Sequence, residues 1–249
     1  MEMTSLFGLI LGIGGILLGN VIEGGHVGSL LQFAAAVIVL SGTLGAVLVS
    51  SRRKDIRMAI QLGKAALRKP KMEQVWASYK ELLECGRLAR KESILAIEPR
   101  IAKMPDPFMQ GVLRAVMDGL DPHVVRQIFE QEINLEEENL LAGAKVWIDA
   151  GGFCPTIGII GAVLGLIHVM SNLADTSKLG AGIAVAFVAT VYGVGFANLI
   201  FLPIGNKIKK RVAEAMRGRE MVLEGGLAIL AGLSPIMMEL KLKPFMEKE

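Results

Sequence analysis

Residues 150–174 read AGGFCPTIGIIGAVLGLIHVMSNLA, and residues 179–206 read LGAGIAVAFVATVYGVGFANLIFLPIGN. Neither stretch contains a single Asp, Glu, Lys or Arg. An uncharged apolar run of about 18 residues or more is long enough to cross the hydrocarbon of a bilayer as a helix. Two further windows near the start of the chain, 3–22 and 24–51, have the same character. The four windows take up 101 of the 249 residues, so all 51 charged side chains fall in the other 148. About a third of that remainder is charged, against roughly 25% in an ordinary soluble domain. The pattern excludes a soluble globular protein. It also excludes an outer-membrane barrel, whose strands are shorter and alternate in polarity. The fold class expected is all-α: a polytopic membrane protein with four transmembrane helices and a helical cytoplasmic domain between spans two and three.

The basic residues orient the spans. The first window begins Met1-Glu2-Met3-Thr4-Ser5, with no positive stretch before it and no Ala-x-Ala site after it. It is therefore read as a retained helix and not as a cleaved leader. Arg52, Arg53, Lys54 and Arg57 follow the second window, and Lys207, Lys209, Lys210 and Arg211 follow the fourth. The loop after the first window has no Lys or Arg, and the loop between the third and fourth has only Lys178, against Asp175. By the positive-inside rule both basic clusters, and both termini, are expected in the cytoplasm. The expected division is a transmembrane hairpin over 1–51 (spans about 4–20 and 28–50) and a cytoplasmic helical domain over 52–148. A second hairpin follows over 149–206 (spans about 149–171 and 180–204), then a cytoplasmic helical tail over 207–249. The net charge of +3 reflects this orientation and not nucleic-acid binding, since aromatic residues are only 5% and no basic stripe interleaves them.

The insert is rich in helix formers, and Pro70, Pro99, Pro105, Pro107 and Pro122 punctuate it. Asp121-Pro122 has the pattern of an N-cap followed by proline in the first turn. A helix starting there can run unbroken into the third span. In the tail, the apolar stretch 225–238 is too short to cross a membrane.

The chemistry is marked by what the spans lack. An intramembrane carboxylate or base is the usual sign of a proton relay, and none is present. His168 lies near the outer end of the third span and reads as a packed or interfacial histidine in preference to a relay. Cys85 and Cys154 have no CxxC spacing, which points to neither a disulfide nor a metal site. The acidic run Glu130, Glu132, Glu136, Glu137 and Glu138 reads as a solvated helix face. No nucleophile elbow, HExxH, P-loop or paired carboxylates appear, so no enzyme, cofactor or metal is expected. The spans are instead rich in small residues: Gly8, Gly12, Gly15 and Gly19 in the first, Gly158, Gly161, Ala162 and Gly165 in the third, Gly182, Gly193 and Gly195 in the fourth. Small faces let helices approach closely where lipid supplies no hydrophobic drive. Pro155 and Pro203 stand near the inner ends of the third and fourth spans, at what the spacing reads as matching depth. Spacing leaves open whether they are hinges coupling the spans to the cytoplasmic helices or simply end their helices.

Several stretches together resemble one family. Gly19-Asn20 with Glu23-Gly24-Gly25, then Ser41-Gly42-Thr43-Leu44-Gly45-Ala46, are similar to the first hairpin of MotA, the flagellar stator subunit, and its relatives PomA and MotP. PTIGIIGAVLGL (155–166) resembles that family's third span, and GIAVAFVATVYG (182–193) with ANLIFLP (197–203) its fourth. The resemblance implies a homo-oligomer, a ring of five, around two copies of a MotB-like partner. That partner is a single-span, peptidoglycan-binding chain whose membrane helix carries the ion-binding aspartate, which accounts for the missing carboxylate here. It also implies that Arg90 and Glu98 engage the rotor switch protein FliG, with Lys91 similar to an extra basic residue of the sodium branch. Sodium-type relatives carry a threonine where this chain has Ala162, and alanine offers no oxygen to a dehydrating ion. Thr190 supplies one hydroxyl on the implied ion pathway, so proton coupling is expected. The relatives' Asn-Pro-Arg is Ser234-Pro235-Ile236 here, and the role of that arginine does not carry over.

Two other readings compete. A TolQ/ExbB-like proton-channel subunit also couples ion flow to work, but typically with three spans. A non-conducting membrane scaffold would use its cytoplasmic helices only to bind a partner.

Overall fold

The computed structural model describes residues 3–68, 72–171 and 176–246; Pro70, Asp175 and the side chain of Lys178 lie outside what it describes. Every regular element among the described residues is helical. The helices are α1 (Met3–Ile22), α2 (Phe33–Ser50), α3 (Arg53–Ala66), α4 (Met72–Lys91), α5 (Glu98–Ile101), α6 (Pro107–Met117), α7 (Pro122–Ser171), α8 (Thr176–Phe196), α9 (Leu202–Leu230) and α10 (Pro235–Met246). Four helical stretches are long and apolar enough to cross a membrane, within Met3–Ile22, Val27–Ser50, Pro122–Ser171 and Gly182–Leu230. The four-span, all-α reading therefore holds.

The chain divides into two compact units. The first comprises Met1–Lys69 and Leu140–Lys210, and the second Pro70–Asn139 and Arg211–Glu249. Helices α7 and α9 each contribute a segment to both. Asp121 caps α7 by accepting from the His123 amide at 2.8 Å, with Pro122 as its first residue. Having started, α7 meets no glycine pair or proline that stops it for 50 residues.

In the first unit, α2 buries Ala35, Val39, Thr43 and Val47. A spacing of four sets them in one stripe along the helix. Thr43 is fully buried and donates to the Val39 carbonyl at 2.6 Å, so its hydroxyl is satisfied within its own helix. Ala35 and Val39 pack with Cys154, Val188, Ala189 and Ala197. Near the other end of α2, Val47 packs with Ala59, Val146 and Ala150, flanked by Trp147 and Phe201. By contrast, α1 buries no residue. Leu199 fills the space beside its Gly12, and Lys207 Nζ donates to Ser5 Oγ at 2.5 Å. Phe7, Phe33, Val49 and Phe187 are each more than two-thirds exposed, a surface suited to lipid or to other chains.

The second unit packs α4, α5, α6, α10 and segments of α7 and α9 around Leu82, Ile97, Leu113, Val116, Met221 and Leu223. Asp106 caps α6 through the Phe108 amide at 3.1 Å. Ionic clasps tie its helices. Glu224 of α9 binds Arg126 of α7 at 2.7 Å and Lys241 of α10 at 2.6 Å. Arg219 of α9 pairs with Glu136 and lies over the Phe108 ring at 4.8 Å. The acidic run is thus part solvent face and part clasp, since Glu136 holds Arg219 and Glu130 holds Arg126 at 3.0 Å. The tail turns at Gly232, whose φ of 64° suits glycine, before α10 begins.

Candidate functional site

The small residues of the third and fourth spans meet each other. A Cβ on Gly158 would stand 2.9 Å from the Ala189 carbonyl oxygen and 3.1 Å from the Gly193 Cα. One on Gly193 would stand 2.8 Å from the Cys154 carbonyl oxygen. One on Gly165 would stand 2.8 Å from the Ala186 nitrogen. These obstacles are backbone, so α7 and α8 touch main chain to main chain over three turns. The helix α2 closes on the same seam, where Gly42 receives Ile157 and Gly161 faces both Ala189 and Ile38. The glycines of α1 behave differently: Gly8, Gly15 and Gly19 have nothing within 4 Å.

Ala162 and Thr190 each follow a member of the Gly161–Ala189 contact, and both are half-buried. The Thr190 hydroxyl makes a single long bond, 3.4 Å, to the Ala186 carbonyl. Its hydrogen is far less committed to the helix than that of Thr43, which donates at 2.6 Å. Tyr192 crosses to the other hairpin: its hydroxyl donates to the Leu30 carbonyl at 2.5 Å and accepts from the Gln32 amide at 3.3 Å.

The prolines sit in helices that continue. Pro155 lies inside α7, with its Cα 3.2 Å from the position a Gly193 Cβ would take. Pro203 is the second residue of α9, directly after a π-helical turn, Ala197–Phe201. Proline has no N–H to give and its ring crowds the carbonyl four residues back. A π turn widens the helix by one residue per turn, and such turns concentrate at functional places. Neither proline ends its helix, so plain termination, which spacing left open, is set aside. Nor do they stand level: Pro155 packs by Gly193, whereas Leu202, next to Pro203, fills the space beside Gly151.

Arg90 and Lys91 form the last turn of α4, and Glu98 opens α5 after a 3-10 turn, Ile94–Ile97. All three are exposed and make no ion pair among the described residues. The turn that carries them is firmly seated. Ile97 and Ile101 are buried beneath it. Arg100 binds Glu81 with two bonds, Nε to Oε1 at 2.7 Å and a second nitrogen to Oε2 at 2.9 Å. Cys85 lies buried nearby, and burial, then the Glu81 charge, push its thiol up to about 11. It stays protonated and inert at neutral pH. No group of His, Cys, Asp and Glu able to hold a metal occurs among the described residues.

Sequence reading did not reach the features that depend on residues far apart in the chain. The Tyr192–Leu30 bond joins residues 162 positions apart, and the Trp147 indole N–H donates to the Ala59 carbonyl at 2.9 Å across 88.

Comparison with known proteins places this arrangement. Residues 100–221 match the model of the MotA/TolQ/ExbB proton channel family. Motility protein A of Bacillus subtilis is 33% identical over 242 residues, covering 97% of this chain and 90% of that protein. The structure of the flagellar MotAB stator complex from Bacillus subtilis superposes with a TM-score of 0.86 at 32% identity, covering 97% of this chain and 95% of that one. The structure of C. jejuni MotAB superposes with a TM-score of 0.92 at 26% identity, covering 100% and 97%. The chain belongs to the MotA family of flagellar stator ion-channel subunits, multi-pass proteins of the bacterial inner membrane. The whole-length likeness to motility proteins sets aside the TolQ/ExbB-like and scaffold readings.

Proposed function

We propose that this chain forms a ring of its own copies around a MotB-like, single-span, peptidoglycan-anchored partner and passes protons past Ala162 of α7 and Thr190 of α8, beside the seam of those helices. The observation that carries the reading is the seam itself. Four spans without one charged side chain enclose a backbone-tight contact flanked by a single weakly committed hydroxyl, Thr190. Such a surface lines a path and guides a carrier but titrates nothing, so the carboxylate comes from the partner's membrane helix. A unit charge crossing the membrane releases about 2.3 kcal/mol per 100 mV, enough to bias a stepwise motion. Ala162, where sodium-type relatives carry a threonine, supplies no ion ligand and favours protons.

Both termini, the 52–148 domain and the 207–249 tail lie in the cytoplasm on this reading, because the basic residues flank those segments. Arg90, Lys91 and Glu98 meet the rotor protein FliG by charge steering and brief ion pairing, which suits contacts that break at every step. Pro155 and Pro203, with the π turn before Pro203, are the points at which the helices yield as the ring moves. The ring of five rests on the family resemblance.

The test is complementation of a non-motile stator deletion by this chain with a MotB-like partner in sodium-free medium. Swimming that persists without sodium and stops with a protonophore supports the reading. Swimming that requires sodium and survives the protonophore would show that the ion is sodium.

A further inference from the structure

Helix α3 follows α2 after a link of two residues and carries a strongly one-sided distribution of charge. Ala59, Gly63 and Ala66 are buried, while Arg53, Arg57 and Lys64 are exposed. At 3.6 residues per turn those three cations fall within about 40° of one another on the helix surface. Gln61 is exposed beside them.

Its contacts fix the direction of α3 within the first unit. Met58 and Leu62, one turn apart, both meet Gly143. Ala59 and Gly63, also one turn apart, both meet Trp147, the first through the indole hydrogen bond and the second at its ring. A helix running along α7 would have advanced a turn between such contacts. Instead α3 crosses α7 and stays at the level of Gly143–Trp147, a turn or so before the charge-free stretch opens at Ala150. Tryptophan at that level is characteristic of a membrane–water boundary. The cations of α3 are thus held at the depth of lipid headgroups.

Among the described residues no carboxylate pairs with them. Among the described residues of the first unit at this end of the spans, the acids are Asp55 and Asp149. Asp149 is engaged by Lys145 at 2.7 Å, and Asp55 sits in the first turn of α3, half-buried on the side away from the stripe. Arg53, Arg57 and Lys64 have no ion pair within the described chain.

We propose that the Arg53–Arg57–Lys64 stripe of α3, held across α7 by the Trp147–Ala59 clasp, is a docking surface for the phosphate headgroups of anionic phospholipid. It deepens the membrane reading above and rests on α3 lying at a bilayer surface, not on which of the two surfaces that is. The lipid completes the charge balance and fastens α3 over the inner ends of α2 and α7. Basic residues at a membrane surface each attract anionic lipid by about fivefold, so three in one stripe give a clear preference over zwitterionic lipid.

The test uses the full chain in nanodiscs of phosphatidylcholine, with a fluorophore attached to Gln61→Cys. Labelling is selective because Cys85 and Cys154 are buried. Quenching is compared between headgroup-nitroxide phosphatidylglycerol and headgroup-nitroxide phosphatidylcholine at equal mole fraction. The expected result is at least about threefold stronger quenching by the anionic lipid, falling to parity in Arg57→Gln/Lys64→Gln. The charge-keeping Arg57→Lys/Lys64→Arg and Lys209→Gln, which lies on α9 and outside the stripe, retain the preference. Equal quenching by both lipids in the unaltered stripe would overturn the proposal and leave an acidic protein surface as the occupant. A preference that survives the double glutamine variant would overturn it as well, since the lipid is then held elsewhere. Both leaflets of a nanodisc are alike, so a reversed orientation, read separately by terminal reporter fusions, does not alter this outcome.

Discussion

Gly158 of α7 and Gly193 of α8 approach so closely that a Cβ on either would lie about 3 Å from the other's Cα, at 3.1 and 3.0 Å. Lipid gives helices no hydrophobic reason to associate, so packing of this kind is what holds the third and fourth spans together. Gly158→Ala forces a methyl against the Ala189 carbonyl and is expected to cost about 1–3 kcal/mol, the usual penalty of overpacking. Gly15→Ala, on a helix with open space around that position, is expected to leave the fold of the chain unchanged. Melting temperatures of the two purified variants check the contrast. Equal destabilisation by both would mean that the seam has no special tightness.

How much of this was legible before the structure depends on the feature. The spans were read from missing charges alone, because a bilayer tolerates so few. The start of α7 was visible in Asp121-Pro122, whose capping chemistry is local. The glycine spacings marked faces but not partners: Gly158 and Gly8 have the same kind of neighbours in sequence, yet one meets a backbone and the other meets nothing. Pro155 and Pro203 could not be told from helix ends by spacing. A π turn, Ala197–Phe201, stands just before Pro203 in the continuing helix, and no local motif in the sequence marks it.

Trp147 offers a second test. Its N–H is the donor to the Ala59 carbonyl, and phenylalanine keeps most of the ring but not the bond. Trp147→Phe is expected to lose about 0.5–1.5 kcal/mol, the net worth of one hydrogen bond, since the Ala59 carbonyl keeps its place in the α3 ladder. Hydrogen exchange of α3 amides reads the effect locally. Exchange in α3 that is unchanged in the variant would contradict the clasp.

Glu224 gives the second unit a dependence on pH. Burial works to raise its pKa, but hydrogen bonds from Lys241 and Arg126 outweigh burial and hold the carboxyl below its ordinary value of 4.5. A group with a lowered folded pKa adds stability that is complete above the unfolded value and fades as pH falls through the folded one. The clasp is therefore intact at neutral pH and lost with acidification below about 4.5, the ordinary carboxylate value. Glu224→Gln is expected to lower the melting temperature at pH 7 by about 2–4 °C for a chain of this size. It should also flatten the decline between pH 5 and pH 3, since glutamine does not titrate in that range. A variant with the same acid limb as the parent would rule Glu224 out as its source.

Arg90, Lys91 and Glu98 lie on the surface and make no ion pair among the described residues, so their reversal breaks no ion pair found there. Arg90→Glu is expected to change stability by less than about 0.5 kcal/mol while abolishing or sharply reducing swimming. Restored motility on pairing it with a reversed charge in the rotor protein would confirm direct contact. Unimpaired swimming of an Arg90→Glu/Glu98→Lys double variant would show that these side chains do not face the rotor. Arg100→Ala, which frees Glu81 and loosens the turn, is expected to weaken both stability and torque.

The central claim is a division of labour: this chain builds the path and another chain supplies the titrating group. The measurement that tests it most directly is proton flux into vesicles under an imposed membrane potential, with this chain alone and with its MotB-like partner. No flux is expected from the chain alone, and flux with the partner is expected to disappear when the partner's membrane aspartate is changed to asparagine. Flux from this chain alone would contradict it.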